Sequence, residues 1–219
     1  MKTNAGNYSH IVWDFNGTLL DDVSICIEAM NSLLKKYGRP ALDSVEAYRR
    51  NFCFPVADYY EKIGLERQKF VIYAAEWVAE YNLRSAFAGV CAGAHDVLEL
   101  FRKSGCRQYL LSATEQTMLK EQVRALGLGA YFDGLIGQDD TYARGKLEAA
   151  VDWSTKVKPA RALFIGDTVH DFEVASAGGA ECMLLASGHQ DSERLAACGC
   201  PVFDGLPALK RYFCMEECP

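Results

Sequence analysis

The 219-residue sequence predicts an α/β protein with a Rossmann-like parallel sheet core and an α-helical cap domain inserted after the first strand. Three observations predict it. From Gly89 to Ala186, short apolar runs alternate with helical patterns, as in parallel strands joined by right-handed crossovers. One further apolar run, His10 to Asp14, stands alone near the N-terminus. Between them, from Asp21 to about Leu83, the period is helical and no convincing strand is found. The core is therefore expected to take residues 1–20 and 84–219, and the cap residues 21–83.

Each element has a local reason. His10-Ile-Val-Trp-Asp14 is a buried strand running into the tight turn of Asn16-Gly-Thr18. In the cap, Ile25, Ala29, Leu33 and Leu34 share one helix face, as do Phe70, Ala74, Trp77, Val78 and Tyr81. The aromatic turn Asn51 to Pro55 separates these from a helix through Tyr59, Tyr60 and Ile63. His95 to Lys103 forms an amphipathic helix closed by Ser104-Gly105. Strand Gln108 to Ser112, helix Glu115 to Leu126 and strand Phe132 to Ile136 follow. A helix begins at Lys146, a strongly apolar strand covers Arg161 to Ile165, a helix covers Asp171 to Ala177, and a last strand covers Glu181 to Ala186.

Composition narrows the function. Half of the residues are hydrophobic, 24% are charged and the formal net charge is −6, an ordinary globular balance that argues against nucleic acid as a partner. A small phosphorylated substrate remains compatible, because a metal and a few cations can reverse the field in one cleft. Nine scattered cysteines do not form a disulfide framework and suit a reduced, cytoplasmic protein. Cys198, Cys200, Cys214 and Cys218 have the wrong spacing for a zinc ribbon, which leaves buried, reduced thiols as the simpler reading. The first ten residues lack a signal-peptide apolar run, and no stretch approaches the ~18 apolar residues of a membrane span. The pattern does not fix an oligomeric state.

In open parallel sheets ligands bind at the carboxyl ends of the strands. There the sequence places Asp14, Ser112 and Asp167, with Asp171 four residues further on and Lys146 opening the preceding helix. Three carboxylates, a hydroxyl and an ammonium can converge on one point. Close carboxylates repel, and a hard cation such as Mg2+, which takes one or two carboxylates plus a phosphate oxygen, resolves the repulsion.

Asp14-Phe-Asn-Gly-Thr18, Ser112, Lys146 and Gly166-Asp-Thr-Val-His-Asp171 together resemble the four ordered motifs of the haloacid dehalogenase superfamily. Gly89 to Gly105 resembles the segment re-entering the core after a helical cap, and Phe52 to Gly64 the cap of phosphoglycolate-phosphatase-like members. The resemblance implies a Mg2+-dependent phosphatase in which Asp14 is the nucleophile, forming an aspartyl-phosphate. It implies metal ligation by Asp14, the Asn16 carbonyl and Asp167, with Asp171 supporting the metal or orienting Lys146. It assigns the phosphoryl oxygens to Ser112, Lys146 and the backbone around Phe15, Asn16 and Ala113.

The chain departs from that pattern at one position. The family's phosphatases carry a second aspartate where this chain has Asn16, and an amide cannot exchange a proton in the working pH range. Losing such an acid/base typically costs ~10²–10⁴ in rate, so Asn16→Asp is expected to raise turnover by that factor. The other reading is a catalytically silent Mg2+- or phosphate-binding regulatory protein on the same scaffold. Several residues have two readings. His170 can replace the missing base or serve structurally. Arg49 and Arg50 can meet a substrate anion or form a solvated pair. Asp171 can be a helix N-cap, Ser112 a strand-end cap, and Lys146 a solvated helix residue. Lys35, Lys36, Lys62 and Lys69, which a phosphonatase-like Schiff base would require, read as surface lysines.

Overall fold

The protein is described by a computed structural model that covers residues 4–138 and 146–215. Its centre is a six-stranded, all-parallel sheet built from β1 (His10–Trp13), β4 (Arg107–Glu115), β5 (Gly134–Gln138), β6 (Ala162–Gly166), β7 (Glu181–Leu185) and β8 (Val202–Phe203). The spatial order is β5-β4-β1-β6-β7-β8, so β1 lies in the interior with β4 and β6 as neighbours. Val12 pairs in register with Tyr109 on one side and Phe164 on the other.

Both faces of this sheet are covered, and that explains the unbroken apolar strands. Ile11, Trp13, Leu163 and Ile165 point into a core shared with Phe101 of α5 (Ala94–Lys103) and Phe213 of α10 (Leu206–Met215). Val12 and Phe164 point the other way, against Trp153 of α7 (Lys146–Val157) and Val174 of α8 (Val169–Ala177). Helix α6 (Gln116–Ala125) joins β4 to β5, and α9 (Ser192–Ala196) lies between β7 and β8.

Between β1 and α5 the chain forms four α-helices: α1 (Val23–Lys36), α2 (Val45–Asn51), α3 (Val56–Lys62) and α4 (Phe70–Ser85). They enclose their own cluster of Leu33, Leu34, Tyr48, Tyr59, Tyr60 and Tyr73. Two short strands, β2 (Leu20–Asp21) and β3 (Gly89–Val90), pair antiparallel at the root of this unit. Asp21 is therefore strand rather than the first helical residue, and α4 runs two residues past Leu83. Two residues per strand are too few to show alternation in sequence, so periodicity cannot reveal this pairing.

The alternation legible in the sequence ends at Ala186, and beyond it the chain adds α9, β8 and α10. β8 again has only two residues, and Pro201 and Pro207 interrupt the surrounding pattern. Among the described residues no helix is long and apolar enough to cross a membrane.

Candidate active site

Strand ends and one helix start bring the charged groups together. Asp14 directly follows β1, Asp167 directly follows β6, and Lys146 is the first residue of α7. All three are buried, as is Asp171 on α8. The Lys146 ammonium donates to Asp14 Oδ1 at 2.5 Å and to Asp171 Oδ1 at 2.6 Å. A lysine opening an amphipathic helix is ordinarily solvated, but here it is the cation between two acids. Carboxylate oxygens of Asp14, Asp167 and Asp171 lie within 4.8 Å of one another.

Asp171 is not the N-cap of α8. Thr168 takes that position, and the two residues form a reciprocal capping box. Asp171 Oδ2 accepts from the Asp167 amide at 3.1 Å, the Thr168 amide at 2.9 Å and the Thr168 hydroxyl at 2.7 Å. Both oxygens are thus engaged, one on the turn and one on Lys146. Burial raises the Asp171 pKa, but the Lys146 charge and these donors outweigh it and hold the acid below the usual range. Asp14 goes the other way: burial, with the charges of Asp171 and Asp167, lifts it well above the usual range against the pull of Lys146.

Asp167 is held by Thr18, whose hydroxyl donates to Oδ1 at 2.8 Å, and by the His189 amide, which donates to Oδ2 at 2.6 Å. Two glycines permit this packing. Gly17 has φ +72°, and a Cβ there would lie 2.6 Å from Asp167 Oδ2 and from the His189 ring. A Cβ on Gly188 would collide with the Asp167 carboxylate. Gly188→Ala should therefore displace Asp167 and cost roughly 1–3 kcal/mol of stability, measurable by urea unfolding. Wild-type stability in that variant would show that the loop can move aside.

His189 is the buried histidine beside the carboxylates, and no motif singles it out in the sequence. Its ring lies 3.4 Å from Asp22 Oδ1 through Nε2 and 2.9 Å from the Tyr48 hydroxyl through Nδ1. Burial alone would favour the neutral ring, yet the bond and charge of Asp22, with Asp167 and Asp14 behind it, raise its pKa to about 9. His170 instead pairs with Glu173 at 3.0 Å and packs its ring, tilted, against Phe54. It is not the histidine among the acids.

Residue 16 is embedded rather than vacant. Asn16 Nδ2 donates to Asp22 Oδ2 at 2.7 Å and to the Tyr81 hydroxyl at 3.2 Å. Its Oδ1 accepts from Thr114 Oγ1 at 3.0 Å and lies 3.5 Å from Ser112 Oγ. Ser112 and Thr114 sit where the register of β4 slips against β5 between Leu111 and Glu115. Such irregularities re-aim side chains at strand ends. Ser112 is buried, and its Oγ accepts from the Thr114 amide at 3.1 Å. The Phe15 side chain is buried in the core, so any role at the site falls to its backbone.

The remaining candidates sort themselves. Arg49 is half-buried and donates to the carbonyls of Gly188 at 2.8 Å and Ser187 at 2.5 Å. The backbone carbonyl of Arg50 accepts from Arg194 at 2.5 Å, as does that of Phe52. Lys36 pairs with Glu76 and Lys69 with Glu66, and Lys62 Nζ lies beside Cys53 Sγ. Among the described residues, Cys198, Cys200 and Cys214 are free thiols and belong to no metal-ligating group; Cys218 lies outside the described residues.

A family described as haloacid dehalogenase-like hydrolase matches residues 8–179, most of the chain and every strand end just described. The chain belongs to that family. This haloacid dehalogenase-like hydrolase is 26% identical over 197 residues to a phosphoglycolate phosphatase of Pseudomonas savastanoi pv. phaseolicola, with 85% of this chain and 72% of the relative covered. In fold it is similar to a haloacid dehalogenase-like family hydrolase from Streptococcus pneumoniae, at TM-score 0.79, 21% identity and 94% and 98% coverage of the two chains. It is also similar to the protein tyrosine kinase A of Mycobacterium tuberculosis, at TM-score 0.78, 18% identity and 94% and 98% coverage. At such identities the likeness concerns the fold, so the reaction must be argued from the site.

Proposed function

We propose that this protein is a Mg2+-dependent phosphohydrolase that acts on a small phosphorylated metabolite through an aspartyl-phosphate on Asp14. The observation that carries the reading is a charge imbalance. Asp14, Asp22, Asp167 and Asp171 are buried together against Lys146 and His189. Even with both bases protonated, two positive charges are missing, and one divalent cation supplies them. The group formed by Asp14, Asp167 and Asp171 offers carboxylate oxygens, which suit a hard ion. Asp14, Asp167 and the Asn16 carbonyl would hold it. Asp171, whose Oδ1 accepts from the Lys146 ammonium and whose Oδ2 closes the turn before α8, would instead fix Lys146. When bound, Mg2+ neutralises charge on the transferring phosphoryl oxygens.

The residues of the chain then divide the work. Lys146 orients the Asp14 carboxylate and favours its ionised form. Asp14 attacks phosphorus as the bond to the leaving oxygen breaks, and water later cleaves the acyl-phosphate, releasing phosphate and restoring the carboxylate. Ser112, Lys146 and the backbone around Phe15, Asn16 and Ala113 hold the phosphoryl oxygens. Asn16 Oδ1 can orient a water but not deprotonate it. Residues 21–83 act as a cap that excludes water, a reading supported by Tyr48 and Arg49, which bond to His189 and Gly188 of the core loop, and by Tyr81, whose hydroxyl accepts from Asn16.

Names of relatives suggest phosphoglycolate as the first substrate to try. Phosphate release from phosphoglycolate, an alkyl and an aryl phosphate should require Mg2+. Calorimetric Mg2+ affinity should fall at least ~10–100-fold in Asp167→Ala. Mg2+ binding without turnover on any ester would favour the silent regulatory protein, to which Asn16 also points. Unchanged affinity in the variant would remove Asp167 from the metal site.

A further inference from the structure

We infer that Asp22 is the positioning residue for Asn16: it fixes which end of the amide faces the site and makes residue 16 an amide rather than a carboxylate. For catalysis the inference rests on the phosphohydrolase reading; for structure it does not.

Donors and acceptors around Asp22 decide the matter. Asp22 is fully buried. Its Oδ1 accepts from the Gly17 amide at 2.9 Å and lies 3.4 Å from His189 Nε2. Its Oδ2 accepts from the Tyr81 hydroxyl at 2.9 Å and from Asn16 Nδ2 at 2.7 Å. Every neighbour donates, so Asp22 is held as the carboxylate and has no proton to give. The atom of residue 16 that faces it must therefore carry hydrogen. An amide meets that demand through Nδ2, which in turn aims Oδ1 at Thr114 and Ser112, on the strand end of the site. A carboxylate at 16 would set two acceptors 2.7 Å apart in a partly buried place, with a negative charge on each.

The consequence contradicts the expectation drawn from the motif alone. Asn16→Asp by itself does not restore an acid/base, because Asp22 opposes it. The exchange does: in N16D/D22N the pair keeps one carboxylate and one amide in contact, and the charge moves from position 22 to position 16, nearer to Ser112. Asp22 thus sets the chemistry available at 16 without touching substrate.

The test is a double-mutant cycle of N16D, D22N and N16D/D22N in the full chain with Mg2+ present. Thermal unfolding is one readout, and steady-state release from an alkyl phosphate, resolved into kcat and KM, is the other. N16D should lower Tm by roughly 5–10 °C when residue 22 is Asp and by far less when it is Asn. In kcat, N16D should not exceed wild type, whereas N16D/D22N should exceed N16D at least about tenfold with little change in KM. Should N16D fail to accumulate folded, recovery of folded protein in N16D/D22N is the same result read through yield, and failure of both overturns the proposal. Additive Tm shifts, or N16D alone faster than wild type, also overturn it. If wild type hydrolyses no ester, the phosphohydrolase reading fails and the Tm cycle still decides the pairing.

Discussion

Asp14→Asn should abolish turnover and leave the protein folded, with Tm equal to or above that of wild type when Mg2+ is chelated. Both results follow from the position of Asp14. As the proposed attacking group it cannot be replaced by an amide, and removing a nucleophile typically costs on the order of 10⁶ in kcat. An amide cannot form the acyl-phosphate, so mass spectrometry after mixing with substrate should trap no phosphorylated species. The stability result comes from the charge imbalance. Asp14 is buried, and burial with two neighbouring acids raises its pKa despite Lys146. Its ionised form is thus disfavoured in the folded metal-free protein, so neutralising it removes a cost. The sign can be followed with pH. A group whose folded pKa is raised favours folding below its unfolded pKa, and that contribution is lost as pH rises through the folded value. The stability gain of Asp14→Asn over wild type should therefore be absent near pH 4 and grow as pH rises. A gain that shrinks with rising pH would mean that Lys146, not burial, dominates the environment of Asp14.

The core of this site was legible because the fold rule and the chemistry point to the same places. Asp14 and Asp167 end apolar runs that could only be central strands, and both lie at the carboxyl end of the sheet. Lys146 was found by order along the chain, but its burial was not. A lysine at a helix start looks the same whether it meets water or two acids, and only tertiary contacts with Asp14 and Asp171 distinguish them. His189 was missed although the same rule reaches it: β7 ends at Leu185, and the loop after it carries Ser187-Gly188-His189. No spacing signature marks that loop. His170 stood out instead through its adjacency to Asp171, although on α8 consecutive side chains point in different directions.

Asn16 and the cap arginine show a second kind of limit. The resemblance to the family's motif marks Asn16 as the place where the usual aspartate is missing, yet what stands opposite it is Asp22, six residues along and turned back by β2. Arg49 looked like an anion contact or a solvated side chain, and it caps two carbonyls of the loop that carries His189. Arg194 of α9 reaches the other way to the carbonyls of Arg50 and Phe52. These four bonds join elements more than 130 residues apart, and donors to carbonyls leave no trace in side-chain pattern. The two from Arg49 hold the helical unit against the same loop that positions Asp167 through the His189 amide, and the two from Arg194 tie it to α9. Any movement of this helical unit away from the loop would therefore release a neighbour of the proposed metal ligand.

Lys146→Met should have the opposite effect on stability from Asp14→Asn and should also lower turnover strongly, though by less. Lys146 is buried, bonded to two buried carboxylates, and lies 5.6 Å from the centre of the Phe164 ring. Methionine fills much of the same volume, so the change removes charge more than packing. What remains is Asp14 and Asp171 without their shared cation. Removing one partner of a buried pair costs about 3–5 kcal/mol, since the other charge stays buried and uncompensated. For a chain of this size that corresponds to roughly 10 °C in Tm. Added Mg2+ should recover part of the loss, because it supplies positive charge to the same carboxylates, and it should recover little of the activity. The phosphoryl oxygens would still lack the ammonium, and Asp14 would lose its fixed orientation, at a combined cost of ~10³ or more in kcat. The combination with Asp14→Asn separates the causes. If the loss is uncompensated charge, Lys146→Met in the Asp14→Asn background should cost markedly less than in wild type, a coupling readable by urea unfolding. Equal costs in both backgrounds would show that Lys146 stabilises through Asp171 and the Phe164 ring alone, and that Asp14 does not depend on it.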